Sequence, residues 1–227
     1  MTLHFSPYTA ELKSEDDVRD TSISGSDGYR RKYKRAFDVT LILLTLPVVV
    51  PLVAMAAALV ALDGRNPFYS QLRVGQDGRH FRIWKLRTMV HNADKMLEQY
   101  LARNPDARAE WDSTQKLKKD PRITFFGQFL RKSSMDELPQ LLNVFQGTMS
   151  LVGPRPMMVS QQALYPGQSY YQMRPGITGF WQVSDRNNCE FSDRSHFDDR
   201  YYREMSFKTD VGLLVQTVGV VVKATGH

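Results

Sequence analysis

The chain has 227 residues, a formal charge of +6 and a sequence pI near 9.4, which suits one domain with acidic partners such as nucleic acid, anionic lipid or phosphorylated substrates. Its single cysteine, Cys189, excludes an intrachain disulfide, a cysteine-based zinc site and a CxxC redox pair. No G-x-x-x-x-G-K-[ST] loop, no H-E-x-x-H pair and no G-x-G-x-x-G turn between strand and helix occurs, which argues against a P-loop kinase, a zincin and a dinucleotide enzyme.

Residues 1–28 mix Ser, Asp, Glu and Gly with scattered apolar residues, show no sustained period and are expected to form a disordered tail. Residues 29–66 read as a basic flank followed by a membrane segment. RRKYKR, at Arg30 to Arg35, precedes an uncharged, mostly apolar run from Val39 to Leu62, and roughly 20 such residues suffice to cross a hydrocarbon core about 30 Å thick. Pro47 and Pro51 near its middle each remove a backbone donor, so a sharp bend is expected there. Arg65, Arg73 and Arg79 follow the run, so basic residues stand on both sides. The positive-inside rule then keeps both ends cytoplasmic and favours a re-entrant helix-break-helix over a straight span. A cleaved signal peptide is disfavoured, because the preceding tail is long and acidic and the run exceeds a usual h-region.

Residues 67–227 read as a cytosolic domain. FYSQLRV and HFRIWKL flank Gly75-Gln76-Asp77-Gly78 and predict a β-hairpin. Lys85 and Arg87, two apart, would share a face if the strand continued. A helix is expected from Met89 to Arg103, stopped by Asn104-Pro105. In SSMDELPQLLNVFQG, Leu138, Leu141, Leu142 and Phe145 recur at helical spacing, and Pro139 is tolerated only near a helix start, which places Asp136 and Glu137 in or just before the first turn. Two readings of this pair stay open. Ser134 with Glu137 fits a capping box; alternatively, one carboxylate is a nucleophile and its neighbour holds a divalent cation.

Gly153-Pro154-Arg155-Pro156 and Arg174-Pro175-Gly176 set Arg155 and Arg174 beside ring-fixed backbone, where a guanidinium can bind phosphate bidentately, whereas Lys85 acts more as a mobile point charge. His80, His91 and His196 are scattered and read as surface or core residues. Asp198 and Asp199 form a second carboxylate pair between aromatics, with a buried salt bridge as the structural alternative. Val211, Leu214, Val215, Val218, Val221 and Val222 recur at helical spacing, suiting an amphipathic C-terminal helix for core or membrane contact, although so many valines leave a strand open. The fold class expected is α/β: a compact helix-rich domain with a small hairpin, anchored by the N-terminal re-entrant helix.

Six ordered motifs then carry a resemblance covering the chain from about Tyr33 to its end. They are KRAFD (Lys34 to Asp38), WKLRTM (Trp84 to Met89), DPRIT (Asp120 to Thr124), SMDELPQLLNV (Ser134 to Val144), SLVGPRP (Ser150 to Pro156) and RPGITGFWQV (Arg174 to Val183). The chain resembles the bacterial sugar transferase family, the monotopic phosphoglycosyl transferases of the bacterial inner membrane. The resemblance implies that Asp136 attacks the β-phosphate of a UDP-sugar, that Glu137 helps bind Mg²⁺, and that undecaprenyl phosphate takes the phosphosugar from the enzyme. Lys85, Arg87, Arg155, Arg174 and Asp199 fall in or beside matching motifs as phosphate, metal or nucleotide contacts. WQVSDRNN is more like the exopolysaccharide-initiating hexose-phosphate transferases, which points to UDP-galactose or UDP-glucose. Two departures stand out: Val50 precedes Pro51 where some relatives have serine, and Asp185 replaces the glycine of a GRN pattern. Membrane lipids are expected partners and homo-oligomerisation is left open. Nucleic acid is not expected, since no platform of interleaved aromatic and basic residues is present. Two rival classes remain: a non-enzymatic, membrane-anchored basic binding module, and a carboxylate/metal phosphodiesterase.

Overall fold

A computed structural model describes residues 28–114, 117–184 and 191–222; the expected tail up to residue 27, Asp185 and Cys189 lie outside these described residues. After a π-helical turn at Tyr29–Tyr33, the apolar run forms helix α1, Lys34–Val60. Where the sequence reading expects a break, α1 continues through both Pro47 and Pro51. Each proline deletes one i→i−4 bond and crowds the carbonyl one turn back; both residues are exposed, and the Thr45 hydroxyl donates to the carbonyls of Leu41 and Ile42 at 2.9 and 3.0 Å just upstream.

Burial along α1 is confined to its two ends. Lys34, Asp38 and Ile42 are buried at four-residue intervals, hence on one face, and Ala56 and Ala57 are buried at the other end, with no buried residue between Ile42 and Ala56. Lys34 Nζ donates to Asp210 Oδ2 at 2.7 Å and to the Tyr201 hydroxyl at 2.9 Å. Asp210 also accepts from the hydroxyls of Tyr29 and Tyr201 at 2.8 and 2.6 Å. Four residues on, Asp38 accepts from Ser150 Oγ at 2.7 Å and from the Leu151 amide at 3.3 Å. Ala56 and Ala57 pack with Leu86 and Leu130.

Strands β1, Phe68–Val74, and β2, His80–Leu86, form the expected antiparallel hairpin, with Tyr69 opposite Lys85 and Arg73 opposite Phe81. Its turn uses Asp77 and Gly78 at positive φ, 57° and 73°, the conformation that Asp-Gly adopts most readily. Directly opposed residues share a face, so Arg73, Ile83 and Lys85 project to one side. Helix α2, Ala93–Arg103, starts four residues later than the periodicity suggests, because Met89 bridges to Ile123 and Asn92 turns left-handed. Pro105, expected as a stop, instead opens α3, Pro105–Thr114, a first-turn position where its missing N–H is no loss.

Helix α4, Phe125–Lys132, is capped by Thr124 Oγ1, which accepts from the Gly127 amide at 2.9 Å. Helix α5, Gln140–Gln146, ends on left-handed Gly147. A parallel pair then joins β3, Ser150–Val152, to β4, Gly176–Thr178. The sequence reading contains no such pair. The two chains approach so closely that a Cβ on Gly176 would collide with the Gly153 backbone, a contact only glycine permits. Helices α6, Phe180–Val183, α7, Arg194–Glu204, and α8, Phe207–Val222, complete the described fold. The valine-rich end is therefore helical, with Phe207, Val211, Val215 and Val218 exposed and Phe207 stacked edge-on against Phe37 of α1.

The Lys34–Asp210 pair is buried on both sides, so removing one partner leaves a charge without compensation. Asp210→Ala is expected to cost about 3–5 kcal/mol, measured by denaturant unfolding in detergent; a loss below about 1 kcal/mol would show that the pair does not hold α1 to α8.

Candidate active site

Pro139 lacks a backbone donor and precedes α5, so the acidic pair lies ahead of the helix, in a single 3₁₀ turn at Met135–Glu137. Ser134, which leads into this turn, is a non-glycine residue at φ 55° and makes no side-chain cap. The capping box proposed for Ser134 and Glu137 is thus not formed, and the left-handed entry, which costs an L-residue roughly 1–2 kcal/mol, sets the turn's direction. Asp136 is 7 % exposed. Among the described residues no hydrogen bond or ion pair reaches its carboxylate. Burial pushes its pKa up; Lys85, Arg131 and Arg155 pull it back down, while Glu137 adds to the rise.

Glu137, by contrast, is engaged. Its Oε1 accepts from Lys85 Nζ at 2.6 Å and lies 3.5 Å from Arg155 Nη2. These three side chains, with Arg73 and Gln140, line a cavity of about 20 Å³ whose remaining wall is Ile83, Pro156, Gly176 and Ile177. Three cations therefore face one carboxylate. Arg73 is fixed by bonds from Nη1 to the Pro156 carbonyl at 3.3 Å and from Nη2 to Gln71 Oε1 at 2.6 Å. Burial and then the neighbouring Arg155 lower its pKa to about 10, which still leaves it charged at neutral pH.

The other expected contacts are distributed differently. Arg87 follows the last residue of β2, so the two-residue alternation no longer applies to it. It donates to Asp63 Oδ1 at 2.6 Å and to the Val60 carbonyl at 3.2 Å, closing the far end of α1. Arg174 is half-buried before β4 with no hydrogen bond or ion pair among the described residues, and it does not line the cavity. Asp199 is half-buried on α7, also without such a partner. Asp198, its neighbour, forms no salt bridge among the described residues and accepts from the Tyr165 hydroxyl at 2.7 Å. Buried Arg194, one turn earlier, donates to the carbonyl of Arg155 and so supports the PRP loop from behind.

Among the described residues no three His, Cys, Asp or Glu side chains converge as a protein-only metal cage. The oxygen donors present fit Mg²⁺ shared with substrate, since that ion is commonly held by one or two carboxylates plus phosphate oxygens and water. Glu137 would then be its protein ligand. Arg73, Gln140 and Arg194 are not singled out as site residues by the sequence. The available signal was twofold: Arg73 and Lys85 fall on one face of the hairpin, and Gln140 lies three residues beyond Glu137.

Residues 29–224 match the family model described as bacterial sugar transferase. The chain is 46 % identical over 198 residues, 86 % of its length, to the UDP-galactose-lipid carrier transferase of Erwinia amylovora. It is 43 % identical over 198 residues, again 86 % of its length, to the undecaprenyl-phosphate galactose phosphotransferase of Salmonella typhimurium. It spans only 42 % of each of these proteins. It is also 42 % identical over 196 residues, 85 % of its length, to the exopolysaccharide production protein ExoY of Rhizobium meliloti, of which it spans 87 %.

The Tyr165–Asp198–Arg194 cluster behind Arg155 carries a pH signature. Burial first of all raises Asp198 to about 6, against an ordinary 3.8, so between those values the folded chain binds more protons than the unfolded one. Stability from this group is complete near pH 4 and falls as pH rises through 6. Denaturant unfolding of the parent and of Asp198→Asn across pH 4–7 should show the parent losing about 2–3 kcal/mol relative to the variant; parallel curves would mean that Asp198 ionises normally.

Proposed function

The chain belongs to the bacterial sugar transferase family, and on that premise we propose that it transfers galactose 1-phosphate from UDP-galactose to undecaprenyl phosphate through a covalent intermediate on Asp136. The observation that carries this reading is a largely buried aspartate, its carboxylate without a hydrogen-bond partner among the described residues, next to an acid that is already paired. Glu137 is neutralised by Lys85 and Arg155, while Asp136 keeps both oxygens uncommitted within reach of the same positive field. Desolvation makes such a carboxylate a better nucleophile than one in water, and Lys85, Arg131 and Arg155 oppose the upward pKa shift that burial imposes.

In the first step an Asp136 oxygen attacks the β-phosphorus of UDP-galactose, the bond to the bridging oxygen breaks and UMP leaves with its electron pair. In the second, a phosphate oxygen of undecaprenyl phosphate attacks the same phosphorus and releases Asp136 as carboxylate, yielding undecaprenyl diphosphate galactose. Lys85, Arg73 and Arg155 face the charge that moves between these groups. Mg²⁺ held by Glu137 and the diphosphate would offset part of that charge.

The acceptor is a lipid, and α1 is suited to meet it. A helix apolar on every face belongs either in a core or in a bilayer, and α1 is the one described helix long and apolar enough to cross a membrane, yet its centre is exposed. Its ends pack on one domain, which supports a helix that enters and leaves by the same membrane face. Helices α4 and α5, which touch those ends, also expose Phe125, 93 % accessible, together with Phe129, Leu142 and Phe145. The basic flanks Arg30 to Arg35 and Arg65 favour the cytoplasmic face of the inner membrane.

Full-length protein in membranes, supplied with UDP-galactose alone, is expected to release no more than one UMP per active site, and to turn over, with a lipid-linked sugar as product, only when undecaprenyl phosphate is added. Asp136→Asn should abolish both. Multiple-turnover UMP release without lipid would indicate a phosphodiesterase, and near-parental transfer by folded Asp136→Asn would remove Asp136 from the chemistry.

A further inference from the structure

Two buried donors beside the acidic turn have no acceptor. Gln140 is 2 % exposed, and its Nε2 makes no hydrogen bond; the same holds for Nε of Arg73. Both residues line the cavity shared by Lys85, Glu137 and Arg155. A buried polar group without a partner loses its hydration without recovering a hydrogen bond, so this arrangement is unfavourable unless something arrives to accept. The cavity, about 20 Å³, admits one oxygen-sized group. Its walls define which kind. The two fully buried polar atoms without a partner on its lining residues, Gln140 Nε2 and Arg73 Nε, are both donors, and three cations face one carboxylate, so an anionic oxygen is held better than a neutral one.

We propose that Gln140 and Arg73 bind one oxygen of the phosphoryl group that reacts at Asp136. The fold explains the convergence. Arg73 reaches the cavity because the hairpin register puts it on the same face as Lys85, and its two other nitrogens are tied to Pro156 and Gln71, which leaves Nε as the free donor. Gln140 is the first residue of α5, three positions after Glu137, so the turn that presents the acids also places the amide. The ligand class is a phosphate or diphosphate ester: a compact, multiply charged group able to use Lys85 and Arg155 at the same time. This rests on the transfer reading above for the identity of the phosphoryl group, but the anion site itself can be tested without turnover.

The probe is inorganic pyrophosphate, added to the full chain in detergent and followed by protection against thermal melting. The parent should be protected. Gln140→Met keeps the volume and deletes the donor, so it should melt at or above the unliganded parent while binding pyrophosphate about tenfold to a hundredfold more weakly. Arg73→Lys keeps the charge but loses Nε and should weaken binding similarly, and kcat/KM for UDP-galactose should fall in step in both variants. Gln140→Glu, which sets a carboxylate among the cations, should abolish protection. If the parent is not protected, or if folded Gln140→Met retains parental pyrophosphate affinity, the proposal fails and the cavity holds only a water. A parent protected through Gln140 that forms no lipid product would overturn the transfer reading and leave the phosphoryl contact standing.

Discussion

An apolar helix whose two ends are fastened to the same domain constrains everything around it. At its N-terminal end the buried Lys34–Asp210 pair and the Asp38–Ser150 bond join α1 to α8 and β3, and Arg35 donates to the carbonyls of Val144 and Phe145 at the end of α5. Its C-terminal end packs on Leu86 of β2 and Leu130 of α4, with Met135 of the acidic turn against the same cluster. Elements that carry Lys85, Glu137 and Gln140, and β3 before the PRP loop, therefore all rest on α1. Position relative to a membrane and geometry of the site become one problem, because any displacement of α1 moves the walls of the cavity.

Electrostatics at the site follows from what is paired and what is not. Glu137 neutralises Lys85 and part of Arg155, a half-buried arrangement in which Coulomb attraction is stronger than at a free surface but is offset by lost hydration. A diphosphate brings more negative charge than one carboxylate and competes for the same cations. Asp136 lacks such a partner, and burial alone would favour its neutral form. The surrounding cations oppose that tendency. Nearby, Asp120 and Arg122 form a self-contained bidentate pair at 2.8 and 2.6 Å, so the carboxylate of the DPRIT segment is satisfied locally and adds no open acid to the cavity.

The hairpin was legible because two-residue alternation and an Asp-Gly turn are local signals, and the acidic turn because Pro139 can stand only near a helix start. Continuity of α1 through two prolines was not, since the sequence shows the two lost hydrogen bonds but not whether the bonds on either side hold the helix across them. The β3–β4 pair was hidden for another reason. Each strand has three residues, bracketed by Gly153-Pro154 and Pro175-Gly176, and parallel partners distant in the chain leave no short-range pattern. Capping and catalysis could not be separated from Ser134 and Glu137 alone, because the choice depends on a backbone angle. Gln140 and Arg73 read as ordinary polar positions until tertiary contacts bring them to one cavity.

Labelling of single cysteines tests the account at its root. With Cys189→Ser as background, Tyr33→Cys and Arg65→Cys bracket α1 at exposed positions, and a membrane-impermeant maleimide reports which side each faces. Both should react in inside-out vesicles and neither in intact spheroplasts. Reaction of one site on each side would show that α1 crosses the bilayer, and would contradict a single domain holding both of its ends.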